Sequence, residues 1–230
     1  MLTLALACAF FLSIHVMISG TAFKDQIISG IGKIAYYVLF CLFSVIGLIW
    51  MCVAFAVAVG NQDGLDHTFW TAPTWLRVIA LVANFVAFLL ITLGVFTPSP
   101  TNLLALRKLP DKTVYGVIRI SRHPILAGIG LWAFAHLVCN GNLAAWLFFG
   151  SLLALCALGA NNIDRKRLAM MGETYNSIKK RTSIIPFVAI IEGRTAFVPE
   201  ELGYAKMLLA ASAFSVFAVL HEFLFSLRAL

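Results

Sequence analysis

Residues 34–60, IAYYVLFCLFSVIGLIWMCVAFAVAVG, run for a long helix's worth of chain without one charged side chain. A helix needs about 20 mostly apolar residues to cross about 30 Å of hydrocarbon. One that is apolar on every side is either buried in a large core or set in lipid. Similar runs recur, and they place spans at roughly 2–20, 34–60, 76–97, 124–140, 143–162 and 205–227. Composition agrees: 61% of the residues are hydrophobic and 12% charged, against about 45–50% and about 25% in soluble domains. The expectation is an all-α chain, a polytopic helical bundle of about six transmembrane helices forming one domain over 1–230 in a lipid bilayer.

Six spans put the loops alternately on two sides, and the basic residues choose between them. Of 17 Lys and Arg, fifteen fall on the side that holds the 98–123 and 163–204 loops, and only Arg77 and Arg228 fall on the other. Basic residues collect on the cytoplasmic face of a membrane, so those loops are assigned to the cytoplasm and both termini to the outside. In a bacterium this means an inner-membrane protein with periplasmic termini. The net charge of +7 is then a topology signal, and nothing in the chain suggests a nucleic-acid groove. The five cysteines, Cys8, Cys41, Cys52, Cys139 and Cys156, lie in apolar runs with no CxxC spacing and are read as free buried thiols.

Between spans, Asn140-Gly141-Asn142 is a turn signal that makes the fourth and fifth spans a tight hairpin. In the cytoplasmic segment 163–204, Leu168, Met171, Tyr175 and Ile178 recur at three- and four-residue spacing, which predicts a basic amphipathic helix on the membrane surface. The following IIPFVAII (184–191) is too short to span and is broken by Pro186, so it is expected to be re-entrant or interfacial.

Histidine placement carries the chemistry. His15, His136 and His221 fall inside predicted spans, His123 at a cytoplasmic edge, and His67 in an external loop. Intramembrane polar groups are costly and mark functional sites unless a neighbour satisfies them. A neutral imidazole can ligate a metal through one nitrogen while the other is held by a hydrogen bond. In the fourth span Gly128, Trp132, His136 and Asn140 fall four apart on one face, with the glycine leaving room for a flat ligand and the tryptophan placed to pack on it. A small-residue face is also how membrane helices approach each other, and spacing alone does not separate the two uses. Phe11, His15 and Ser19 form a similar face in the first span. Pairings of His15 with His136 and of His136 with His221 both remain open.

The triplet Arg122-His123-Pro124 has two readings. Proline at a first helical position follows a basic anchor naturally. Alternatively Arg119, Arg122 and His123 form a cationic pocket for a carboxylate, a phosphate or a haem propionate.

At these residues a resemblance appears. VIRISRHPILAGIGLWAFAHLVCNGNLA, then LFFGSLLAL, NNIDRKR, the MGETY region and KKRTSIIPFVAIIEGR, over about 117–195, closely resemble the NnrU family, whose relative is the 15-cis-zeta-carotene isomerase of plants and cyanobacteria. The carotenoid branch implies haem b held by a histidine of the first span and the one in Trp-x-x-Ala-His, here His15 and His136, with Arg122 and His123 as propionate-side support. That branch also has a cysteine three residues before the second histidine; this chain has Ala133 there, and Cys139 is not its equivalent. The NnrU side implies a link to nitrite and nitric oxide reduction, as an enzyme or as a non-enzymatic accessory to nitrogen-oxide reductases. The implied partners are therefore a hydrophobic polyene substrate or such reductase components. A wider similarity, through Arg122, His123, Pro124, Gly128, Gly172, Tyr175 and Pro186, is to isoprenylcysteine-type membrane methyltransferases, which implies S-adenosylmethionine binding. The departure lies at Asp164, where a paired glutamate is expected. No Ser-His-Asp set or paired carboxylates stand out, so catalytic residues are unassigned.

Overall fold

The computed structural model describes residues 1–19, 21, 23–60, 65–101 and 114–225. Gly20, Arg107, Lys108, Lys112 and Arg228, on which parts of the span and charge reading fall, lie outside the described residues. The chain is helical: α1 (Leu2–Ser13), extended by a π-helical turn (Ile14–Ile18), α2 (Phe23–Ile31), α3 (Lys33–Gly60), α4 (Thr74–Phe96), α5 (Val117–Ile120), α6 (Pro124–Cys139), α7 (Leu143–Met171), α8 (Glu173–Arg181), α9 (Val188–Ile191) and α10 (Tyr204–Phe225), with short strands β1 (Thr68–Thr71) and β2 (Asn140–Asn142).

Length and composition bear out part of the six expected spans and do not confirm the count. Among the described residues four helices are long and apolar enough to cross a bilayer: Lys33–Gly60, Thr74–Phe96, Leu143–Met171 and Tyr204–His221. The segment Leu2–Ile18 qualifies only together with Phe23–Ile31, from which it is bent by 83°. α6 has 16 residues, about 24 Å at 1.5 Å per residue, which is short of the hydrocarbon thickness. It begins at Pro124, whose missing N–H suits a helix start. The outward faces remain apolar: Val38, Ile49, Val53 and Val57 of α3, Ile79 and Val82 of α4, and Leu208 and Val219 of α10 are all exposed. Such continuous apolar surface belongs against lipid rather than water, and the protein is a helical membrane protein.

Two compact units divide the chain, residues 1–73 with 136–159, and residues 74–135 with 160–230. In the first, Phe10 and Phe11 of α1 pack on Gly47 of α3, and Phe55 of α3 packs on Phe148 and Phe149 of α7. The turn Asn140-Gly141-Asn142 does join α6 to α7, and it also forms β2, which pairs antiparallel with β1. Trp70 of β1 lies edge-on to Trp146 and donates from Nε1 to Val138 O at 2.9 Å. The start of α7 is capped from the same loop. Leu143 N donates to His67 O at 3.0 Å, and Ala144 N donates to Asp66 Oδ1 at 2.9 Å. Two N–H groups that a helix leaves unpaired are thereby satisfied.

In the second unit α10 packs along α4, with Phe214 against Phe85 and Phe88. A core of Leu90, Leu93, Val117, Ile120 and Leu202 ties in α5. The helix expected to begin near residue 163 is the continuation of α7 to Met171. Gly172, at φ 54, then breaks it before α8, a backbone conformation that only glycine adopts at little cost. The apolar side of α8 is not left for lipid: Tyr175 and Ile178 are buried with Val114. Segment 184–191 is non-spanning and is strapped to α5, with Ser121 Oγ donating to Ile184 O at 2.7 Å and Phe187 N to Ile120 O at 2.9 Å.

Candidate functional site

The residues singled out in the sequence fall in two places. The first is the unit that holds His15 and His136, which contact different residues there. His15 is half-buried on the π-helical turn, an element that recurs at functional positions because it re-aims a side chain out of the regular helical register. Its Nδ1 donates to Phe11 O at 2.8 Å. A carbonyl only accepts, so the proton sits on Nδ1, and Nε2 presents its lone pair. Phe11 and Phe40 hold the ring at centroid distances of 4.5 and 5.3 Å. His136, also half-buried, stacks on Phe149 at 4.9 Å and 28°. Asn140 Nδ2 donates to His136 O at 2.8 Å, closing the last turn of α6.

The second is a cluster that lies wholly in the other unit and is centred on Asp164. Arg122 donates from Nε to Oδ1 at 3.1 Å and to Oδ2 at 3.0 Å, and from NH2 to Oδ2 at 2.5 Å. His123 Nε2 donates to Oδ1 at 2.7 Å and Tyr175 OH to Oδ1 at 2.6 Å. Arg122 NH1 reaches Thr182 O at 3.4 Å. All four side chains are buried, with residue exposures of 8% for Arg122, 2% for His123, 5% for Asp164 and 0% for Tyr175. Burial first, and then the carboxylate it donates to, raises the Tyr175 phenol above its ordinary pKa.

This geometry revises several readings. The cationic pocket of Arg122 and His123 is filled by an internal carboxylate, so the propionate-side role expected of the pair has no open donor set here. Arg119 is likewise engaged: its Nε donates to Glu201 Oε2 at 2.7 Å, and that hydrogen bond is the main cause of its raised pKa. The methyltransferase skeleton Arg122, His123 and Tyr175 converges on Asp164 rather than on open space. The cavity beside His123, bordered by Ser99 and Thr101, measures about 40 Å³, enough for a water or two and far below the hundreds of Å³ that a cofactor pocket has. Gly128 makes no room for a flat ligand either. A Cβ there would lie 2.8 Å from Ala87 O and 2.6 Å from Ile91 Cγ1, so this glycine admits α4 at close range, as small residues do between membrane helices. Trp132 and His221 are half-buried in the second unit, not in the one that holds His15 and His136.

Sequence reading missed Asp164 as a hub and noted it only as a departure from a pattern. The available signal was an acidic residue in α7 next to a run of bases. Asp66 was missed entirely, and no local pattern marks it.

Toward a haem, His15 has the tautomer that ligation requires, but the structure does not bring His136 to it. His15 packs on Phe40, whereas His136 stacks on Phe149, which packs on Phe55, and Phe40 and Phe55 stand about 22 Å apart along α3 at 1.5 Å per residue. Among the described residues no group of three or more His, Cys, Asp or Glu side chains is placed to hold a bare metal ion; a haem asks for only two protein ligands.

Compared with known proteins, the chain matches the family model described as NnrU protein over residues 3–229, and it belongs to that family. It is similar to the protein "15-cis-zeta-carotene isomerase, chloroplastic" of Arabidopsis thaliana, 40% identical over 124 residues, which are 52% of this chain and 32% of that protein. To the protein of the same description in Zea mays it is 34% identical over 125 residues, 53% of this chain and 33% of the relative. The chain thus spans about a third of the length of these curated relatives. No solved structure matches it.

Proposed function

We propose, from membership of the NnrU family, that this chain is an isomerase-like membrane protein that acts on a hydrophobic polyene, and that a haem b would be ligated through His15. The observation that carries the reading is the His15 tautomer: Nδ1 is committed to Phe11 O, which leaves Nε2 as the ligating atom. Similarity to two proteins named as carotene isomerases supports the substrate class, and the apolar outer faces of the helices suit a substrate that arrives from lipid. A haem held in this way supplies one-electron redox chemistry at a site whose polarity and access the protein sets.

The chain's own residues position and insulate. Phe11 and Phe40 restrict rotation of the His15 ring, and the Phe11 carbonyl fixes its tautomer and orientation. Phe149 supports the His136 ring. The β1–β2 pairing and the Trp70 hydrogen bond to Val138 O hold the α6–α7 turn that follows His136. The Asp164 carboxylate accepts hydrogen bonds from Arg122, His123 and Tyr175 and serves as an anchor in the other unit. The assigned setting is a bacterial inner membrane with both termini periplasmic.

The test is an oxidised and dithionite-reduced visible spectrum of detergent-purified protein beside His15→Ala and His136→Ala. A haem spectrum in wild type, lost or altered in His15→Ala and kept in His136→Ala, is expected. A wild-type spectrum unchanged by His15→Ala, or no Soret band after reconstitution, overturns the assignment. A link to nitrogen-oxide reduction would instead appear as impaired denitrification on deletion, with no turnover of polyene by the purified protein.

A further inference from the structure

We propose that segment 184–197, with the end of α8, docks onto anionic phospholipid: Ile185, Phe187, Ile191 and Phe197 enter the boundary between headgroups and acyl chains, and Lys180 and Arg181 take the phosphates. The inference needs neither the haem nor the polyene reading. Contacts within the second unit set the depth of the segment. Ile190 packs on the core of Leu90, Leu93, Val117, Ile120 and Leu202, and so does Met207. Leu93 stands in the last turn of α4 and Met207 in the first turn of α10, so the segment lies where two apolar helices end. Tyr204, exposed at the start of α10, marks the same level, since tyrosine collects at membrane–water boundaries.

At that level the segment leaves apolar groups uncovered. Ile185 and Ile191 are 67% and 81% exposed, and Phe187 and Phe197 are exposed as well, their ring centroids 6.3 Å apart. Phe187 holds φ at 67°, a left-handed conformation that is costly for a bulky residue and suits glycine. The fold keeps it through Phe187 N, which donates to Ile120 O at 2.9 Å, and through its carbonyl, which accepts from Ile190 N and Ile191 N. None of these bonds needs a ring, so the aromatic side chain answers to something outside the fold. Charge identifies the partner. Arg194 donates from NH1 to Lys180 O at 3.1 Å and to Thr182 O at 2.6 Å, which lays the basic end of α8 against this segment. Lys180 and Arg181 are exposed there, and Glu192, the acid of the segment, is paired with Arg194. Apolar side chains beside cations are how interfacial segments bind anionic bilayers; an apolar protein face would leave the two cations unused.

The experiment places the full-length protein in nanodiscs of phosphatidylcholine with equimolar phosphatidylglycerol and subtracts wild-type emission from that of Phe187→Trp. The added indole should be quenched by phospholipid brominated near the headgroup end of its acyl chains, and not by aqueous acrylamide. Removing both cations, in Lys180→Gln with Arg181→Gln, should weaken phosphatidylglycerol binding in detergent, read by native mass spectrometry, by roughly tenfold or more, at about fivefold for each basic side chain near an anionic surface. Phosphatidylcholine binding should not change. Phe187→Gly relieves the left-handed backbone, so its melting temperature in detergent should not fall; a fall shows that the ring belongs to the fold and overturns its assignment to lipid. Quenching by acrylamide rather than by bromolipid overturns the inference, as does equal retention of the two lipids by wild type. If the indole is shielded from both quenchers and the protein runs as a dimer, the surface joins two copies and the lipid assignment falls.

Discussion

Replacing Asp164 with asparagine keeps the shape of the side chain and removes its charge, which isolates what the carboxylate contributes. In the native structure that one group accepts from Arg122, His123 and Tyr175 at 2.5–3.1 Å. In Asp164→Asn a buried guanidinium loses its counter-charge, and the new amide nitrogen confronts side chains that are themselves donors. Breaking a buried ion pair by removing one partner costs about 3–5 kcal/mol. The lost His123 and Tyr175 hydrogen bonds belong to the same carboxylate, so their costs overlap rather than add. A total of about 3–5 kcal/mol is a large share of the about 5–15 kcal/mol that stabilises a domain. Denaturant unfolding in detergent, followed by circular dichroism, reads it. The internal comparison is Glu192→Gln, whose partner Arg194 lies 2.5 Å away in a pair with side chains 33% and 52% exposed, and which should cost less than about 1 kcal/mol. Pairing Arg122→Met with Asp164→Leu should recover part of the loss, since well-packed apolar replacements of buried ion pairs are tolerated. If Asp164→Asn unfolds where Glu192→Gln does, the carboxylate is not the anchor of this unit.

Two further outcomes follow from the same geometry. Asp66→Ala removes an acceptor for Ala144 N and Asn142 Nδ2 and should destabilise by about 1 kcal/mol, as loss of a helix cap does, with faster amide exchange at the start of α7. The Tyr175 phenol has its pKa raised above the ordinary value of 10.0 by burial and by Asp164, so its stabilising contribution is complete below that pH and is lost as pH climbs beyond it. An ultraviolet phenolate titration should therefore lose its last-ionising component in Tyr175→Phe; an unchanged curve would place this hydroxyl in solvent.

How much of this was legible beforehand depended on the range of the interaction. An uncharged run such as 34–60 dictates a lipid-facing helix because the cost of unpaired backbone in hydrocarbon is incurred residue by residue, whatever lies elsewhere in the chain. The α6–α7 turn at Asn140-Gly141-Asn142 and the helix start at Pro124 were readable for the same reason, since backbone preference is local. Span count was less secure: α6, at 16 residues, falls below the crossing length, and Leu2–Ile18 bends away from the helix after it.

The candidate site divides along the same line. That His15 and His136 are polar groups in apolar runs is plain from the sequence. That His15 sits on a π-helical turn with Nδ1 spent on Phe11 O is not, because hydropathy carries no information about hydrogen-bond register. Arg122 and His123 looked like an open cationic pocket because their carboxylate, Asp164, lies some forty residues along the chain, and Gly128 looked like space until α4 filled it. Sequence alone determined the solvent this protein folds in and the places where its helices start and turn, which each short segment settles with its own surroundings. Only the tertiary structure decided which buried charge meets which, and which glycine is a gap, because close packing and charge pairing are properties of segments brought together from afar.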